Sequence, residues 1–226
     1  MRNVIVTAFI VFCSVLALGT RVAFGADMVD FETGYARLDA VSSVFTRTNT
    51  MRISVSESGR MFIANVGIPK DGFEVVIDSV LQYDIPIGGN PGNFFLTDGP
   101  EGENHFLFDF DLPISEFGLD LYDFVGDGGA RPTDFATLQA FSDAARTNLV
   151  ADSVFVVPRP RPVDGSVITM SVAAPLIRAV SLRFSTFDRG TGIDNIRFVT
   201  VPEPAAITFF ALGAVALVFW WARRAR

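Results

Sequence analysis

Apolar residues are spread along this chain in three ways. Residues 4–18 form a block broken only by Thr7 and Ser14, and residues 205–222 form a second block with Thr208 as its one polar side chain and no charge. Between the blocks apolar and polar residues alternate. Phe106, Phe108 and Phe110 fall on one face of an extended chain, with His105, Asp109 and Asp111 on the other. That is period two, a half-buried strand. Phe117, Leu119 and Leu121 against Gly118, Asp120 and Tyr122 repeat it, as do 168–172 and 180–184. Further candidate strands lie at 52–56, 61–66, 73–83, 136–141, 153–157 and 193–199; a short helix over 138–149 is the one helical alternative. The spacing of these runs, with Gly, Pro, Asn and Asp between them, predicts an all-β body over 26–200, a β-sandwich or jelly roll. The Pro-Arg repeat at 158–162 has strand-like flanks and is expected as a rigid loop.

The end blocks predict membrane passage. Arg2 precedes the first block, and Ala23-Phe24-Gly25 supplies small residues for cleavage, which makes 1–25 a signal peptide and Ala26 the mature start. A cut after Gly19, or an uncleaved helix, are the alternatives. The 18 residues of 205–222 would span roughly 27 Å as a helix, near bilayer thickness. Trp220 and Trp221 suit an interfacial belt, and Arg223, Arg224 and Arg226 mark a cytoplasmic end. Pro202 and Pro204 stop the helix from extending outward.

Pro202-Glu203-Pro204, a single apolar helix and a terminal arginine cluster, in that order, resemble the PEP-CTERM sorting signal of Gram-negative bacteria. The resemblance covers 201–226 only. It implies export, transient retention in the inner membrane, cleavage near the Pro-Glu-Pro by an exosortase, and delivery to the cell surface or exopolysaccharide matrix. An ordinary C-terminal anchor with a chance tripeptide is the other interpretation.

Charge narrows the choice of partners. Of 18 basic residues, five lie in the end segments, against one of 25 acids, so the body carries 13 basic and 24 acidic residues. Such a surface disfavours nucleic acid and anionic lipid. It is compatible with neutral polysaccharide or divalent cations. The single cysteine, Cys13, lies in the first apolar block, so the body has no disulfide, thiol nucleophile or zinc–thiolate site.

Two short runs are similar to parts of exported jelly-roll domains, carbohydrate-binding modules among them. One is Asp30-Phe31-Glu32 near the start, the other Ile193-Asp194-Asn195-Ile196 near the end. In that group the first and last strands pair. The resemblance implies that Glu32 and Asp194 meet at a structural calcium site, which takes carboxylate and carbonyl oxygens. Otherwise Asp194 caps a turn and Glu32 is a solvated charge. Asp123, Asp127 and Asp134 in a Gly-rich loop are a weaker candidate, without EF-hand spacing.

Enzymatic chemistry finds little to work with. His105 is the only histidine, no Gly-x-Ser-x-Gly occurs, and nothing selects a catalytic pair among 24 acids. Sugar-binding faces present Trp or Tyr, whereas the body has no Trp and three tyrosines, Tyr35, Tyr83 and Tyr122. The expected function is a non-enzymatic surface or matrix protein associated with exopolysaccharide or biofilm. The alternatives are a carbohydrate-binding module-like protein and a polysaccharide-active enzyme.

Overall fold

The computed structural model describes residues 26–36, 39–55, 61–65, 74–77, 80–83, 94–97, 105–122, 135–156, 167–185, 192–201 and 220. The strands are β1 (Asp27–Val29), β2 (Ser43–Phe45), β3 (Thr50–Val55), β4 (Phe62–Asn65), β5 (Glu74–Ile77) and β6 (Val80–Tyr83). They continue with β7 (Phe94–Thr97), β8 (His105–Tyr122), β9 (Phe135–Phe141), β10 (Leu149–Val156), β11 (Ile168–Ser185) and β12 (Gly192–Thr200). All their pairings are antiparallel. The body is all-β and sandwich-like. Both membrane-type blocks, the Pro-Glu-Pro tripeptide and the 123–134 loop lie outside the described residues, Trp220 apart. Among the described residues no helix is long and apolar enough to cross a membrane.

Two long strands organise the fold. The sequence reads 105–111 and 117–122 as separate runs, but they form one 18-residue strand, and 168–172 and 180–184 likewise merge into one. Neither is straight. Phe108 and Phe117 are nine residues apart in β8, about 30 Å along an extended strand. Their ring centroids are 5.1 Å apart. The strand therefore folds over, and Leu112-Pro113 lies at the corner. Proline donates no ladder bond and is tolerated at such irregularities. Across the corner Ile177 faces Ile114 while Ala179 already faces Asp109, so the extra residues are on β8. Before the corner β8 pairs with β3, after it with β12, and β11 follows along its other side. Hydrogen bonding thus runs through ten strands in the order β10-β9-β11-β8-β12-β7-β4, with β3, β2 and β1 attached, and bends into two facing layers.

The apolar faces of those layers make the core. Phe106, Phe108, Phe117, Phe198, Leu119, Leu182 and Ile196 are all buried. Phe110 sits between Phe117 and Phe198, with centroids 5.9 and 5.2 Å away. The abundance of Phe is thereby used: rings reach across the layers at favourable edge-on angles. Gly192 opens β12 where a Cβ would lie 2.5 Å from the Phe95 ring. In two places the expected elements differ. Within 73–83, β5 and β6 pair antiparallel, with Ile77 opposite Val80, rather than forming one strand. Residues 138–149 are not helical: β9 ends at Phe141, and Asp143 accepts from the Thr147 amide in the connection to β10.

Asn49 replaces the pairing lost at the corner. Its Oδ1 accepts from the Leu112 amide at 2.9 Å and its Nδ2 donates to the Leu112 carbonyl at 2.8 Å. One buried side-chain amide thus does what a neighbouring strand would do. Asn49→Ala strands both Leu112 groups and should lower the unfolding free energy by about 2–3 kcal/mol in urea titrations.

Candidate metal centre

β12 lies between β8 on one side and two short strands on the other. On that second edge β1 runs alongside as far as Val29 opposite Ile196, and β7 meets β12 at Ile193 opposite Leu96. Asp194 and Asn195 fall in the gap between them. The β12–β8 register also shifts between Asp194 and Arg197, and Asn195 takes a left-handed conformation, φ 49°. This is a β-bulge, a device that re-aims side chains, and Asn tolerates that backbone better than most residues.

The chain leaving β1 turns at the same gap. Asp30 Oδ1 accepts from the Glu32 amide at 3.2 Å, a local turn that Asp forms readily. Phe31 between them has φ 55°, costly for a bulky residue, and is held by burial of its ring against Tyr35 at 5.6 Å. Glu32 Oε1 accepts from the Phe94 amide at 2.9 Å, tying the turn to the start of β7. The turn is therefore fixed from both sides.

Asp120 on β8 is the direct cross-strand partner of Asp194. Cβ atoms so placed are about 5 Å apart, and like charges there repel. Both residues are buried. Their surroundings differ sharply. Asp120 Oδ1 accepts from Arg197 Nη2 at 3.0 Å and from Thr169 Oγ1 at 2.7 Å, and Oδ2 from Asn195 Nδ2 at 3.2 Å. Among the described residues neither oxygen of Asp194, 1% exposed, has a hydrogen-bond partner. Burial pushes its carboxyl up to about 9; Asp30, Glu32 and Asp120 push the same way, and the Asn195 amide pulls back without hydrogen-bond geometry to either oxygen. Tyr122, whose hydroxyl accepts from Asn195 Nδ2 at 2.8 Å, is held well above its ordinary value by burial and by Asp194 and Asp120.

Glu32 on the turn and Asp194 on the bulge are near enough to interact electrostatically. Asp30 and Asp120, which the sequence did not single out, act on Asp194 in the same way. Among the described residues no three Asp, Glu, His or Cys side chains already converge as a metal-binding group. A cation here would take main-chain carbonyls or water besides carboxylates, an all-oxygen shell of the kind calcium takes. The orphaned oxygens of Asp194 fit that demand.

The other candidates lead elsewhere. His105 Nε2 and Ser181 Oγ are 2.9 Å apart on neighbouring strands, and Ser181 is buried. Pro202, Glu203, Pro204, Arg223, Arg224, Arg226, Asp123, Asp127 and Asp134 lie outside the described residues.

No protein-family model matches the chain, and no curated protein does. Among solved structures, the K1 cleaved adhesin domain of Lys-gingipain from Porphyromonas gingivalis W83 aligns at 13% identity over 80% of this chain and 100% of that one, with a TM-score of 0.45. The N-terminal CBM22-1-GH10 modules of a Clostridium thermocellum endo-1,4-beta-D-xylanase align at 9% identity over 74% and 29%, TM-score 0.33. The enzymatically active domain of bacteriophage CBA120 tailspike protein 4 aligns at 15% over 69% and 20%, TM-score 0.28. These likenesses are too low to assign this chain a family or an activity.

Proposed function

We propose that this chain is an exported, non-enzymatic surface or extracellular-matrix protein. Its signal peptide is removed, and 205–222 holds the β body at the outer side of the inner membrane. An exosortase cuts near Pro202-Glu203-Pro204, and the released body joins the exopolysaccharide or biofilm matrix. One observation carries most weight. β12 pairs to its last residue, Thr200 opposite Ile114, and the Val201 amide then donates to the Pro113 carbonyl at 2.8 Å. The folded body is anchored up to the residue before Pro202. The tripeptide is the next stretch of chain, and its prolines lack the amides that would extend the ladder. Body and sorting signal therefore abut.

Tyr122 and Tyr35 give the carbohydrate-binding alternative little to build on. Tyr122 is fully buried, and Tyr35 packs against Phe31. Glu203→Ala tests the sorting step in the native host. The wild-type protein should appear shortened and outside the cell, and the variant should accumulate at full length in the inner membrane. Release of the variant at wild-type levels would overturn the assignment.

A further inference from the structure

We propose that the corner end of the body is a membrane seat: Phe45 and Leu176, with Arg47 in the adjoining turn, rest in the phospholipid headgroup layer while 205–222 spans the bilayer. This rests on the sorting function and deepens it, because it fixes where Pro202-Glu203-Pro204 stands relative to the lipid.

The fold collects both chain exits at one end. β12 runs toward the corner of β8 and finishes there, with Thr200 opposite Ile114 and the Val201 amide bonded to the Pro113 carbonyl. β1 is antiparallel to β12 and starts at the same end, Asp27 opposite Phe198. The turn between β2 and β3 closes over them. Thr46 and Thr48 both donate to Asp27 Oδ2, Thr200 Oγ1 lies 2.8 Å from Thr48 Oγ1, and Asn49 holds Leu112. On the other side of β8, residues 174–176 of β11 lie against the same corner, between Ala173 opposite Glu116 and Ile177 opposite Ile114. Both apolar blocks of the sequence therefore adjoin this end, through Ala26 and Val201.

Val201 and Ala205 are four residues apart, at most about 14 Å even when fully extended. The headgroup layer on one side of a bilayer is about 5–8 Å deep. With 205–222 in lipid, the corner end must stand in or just above that layer. Its surface suits the place. Phe45 is 79% exposed, and Leu176 is exposed beside the corner. Arg47 is exposed in the turn next to Phe45, where a long side chain can reach phosphate. The body as a whole has nearly twice as many acids as bases, yet here Arg47, Arg52 and Arg178 match Asp27, Asp111 and Glu116, and Arg52 pairs with Asp111. An anionic leaflet repels the acidic remainder, so the body stands on this end. Two apolar side chains and one cation hold a membrane only weakly by themselves. The neighbouring span makes the contact intramolecular, and so sufficient. Cleavage near Pro202-Glu203-Pro204 removes the span, and the seat then lets go.

The test uses the full chain carrying Cys13→Ser, reconstituted into vesicles of phosphatidylcholine and phosphatidylglycerol. A nitroxide is attached in turn at Phe45→Cys, Leu176→Cys, Val156→Cys and Ala214→Cys. Val156 is an exposed apolar control. It aligns through Phe135 with Ser185, beyond the row of His105 and Arg183, at the opposite end of the strands. The label at 214 reports the span and should be reached by oxygen and shielded from a water-soluble nickel chelate. Labels at 45 and 176 should show an oxygen-to-nickel accessibility ratio about threefold or more above that at 156. Phe45→Ser together with Arg47→Ser should bring the ratio at 176 down to that at 156. Open access of nickel to the label at 214 would overturn the span, and the seat with it. A shielded label at 214 with equal ratios at 45, 176 and 156 would overturn the seat alone and leave the sorting function standing. An unchanged ratio at 176 in the double variant would overturn the part given to Phe45 and Arg47.

Discussion

In metal-free protein, Asp194→Asn should raise stability at neutral pH and leave it nearly unchanged near pH 4. The Asp194 carboxyl titrates at about 9 in the folded chain, against 3.8 for an ordinary aspartate, mainly because it is buried. A carboxyl raised in this way holds its proton more tightly when folded than when unfolded. Below about pH 4 both states are protonated and nothing is lost. As pH rises toward 9, unfolding releases a proton that folding must retain, so stability falls throughout that interval. The slope approaches about 1.4 kcal/mol per pH unit, and between pH 4 and 7 the loss reaches at most about 4 kcal/mol. Asn carries no proton to lose, and its amide is as poorly partnered as the protonated acid. The two proteins should therefore have similar urea midpoints near pH 4 in EDTA and separate steadily above it. An offset that is the same at pH 4.5 and pH 7.5 would show that Asp194 is ordinarily ionised in the fold.

What the sequence made legible and what it hid divide along local and non-local lines. Alternation at 105–111 and 117–122 depends on neighbours two residues apart, and both runs are strands. The sharp bend between them depends on which residues pack across the layers, so the pattern alone suggested two strands with a break. Pro113 was the visible signal, but a proline in a strand marks an end as readily as a corner. The reversal inside 73–83 had a comparable signal in Asp78-Ser79, turn-forming residues flanked by apolar runs. Site residues show the same division. Glu32 and Asp194 were singled out through resemblance to a group of folds. Asp120 looked like an ordinary polar-face position, and only the register between strands more than 70 residues apart sets it opposite Asp194. The bulge was partly announced by Asn195, a residue at ease in the left-handed region. Asn49 carried no announcement, since nothing nearby in sequence says that Leu112 will need a partner.

Phe108→Ala should be among the most damaging single substitutions in the body, lowering the unfolding free energy by about 3–5 kcal/mol. The ring is fully buried and tilts 48° against Phe117 at 5.1 Å. Close packing leaves little room for neighbours to collapse into the hole, because strands β3 and β11 flank this part of β8 and fix its backbone. A more discriminating test uses Phe108→Leu, Phe117→Leu and the double variant. Rings in direct contact should make the double variant less destabilised than the sum of the single effects, by about 0.5–1.5 kcal/mol. Two residues nine apart in a straight strand would be about 30 Å from each other and would add independently. Additivity within experimental error would therefore remove the corner at Leu112-Pro113. Without that corner the second half of β8 could not both face the first and pair with β12, and Asp120 would no longer stand opposite Asp194.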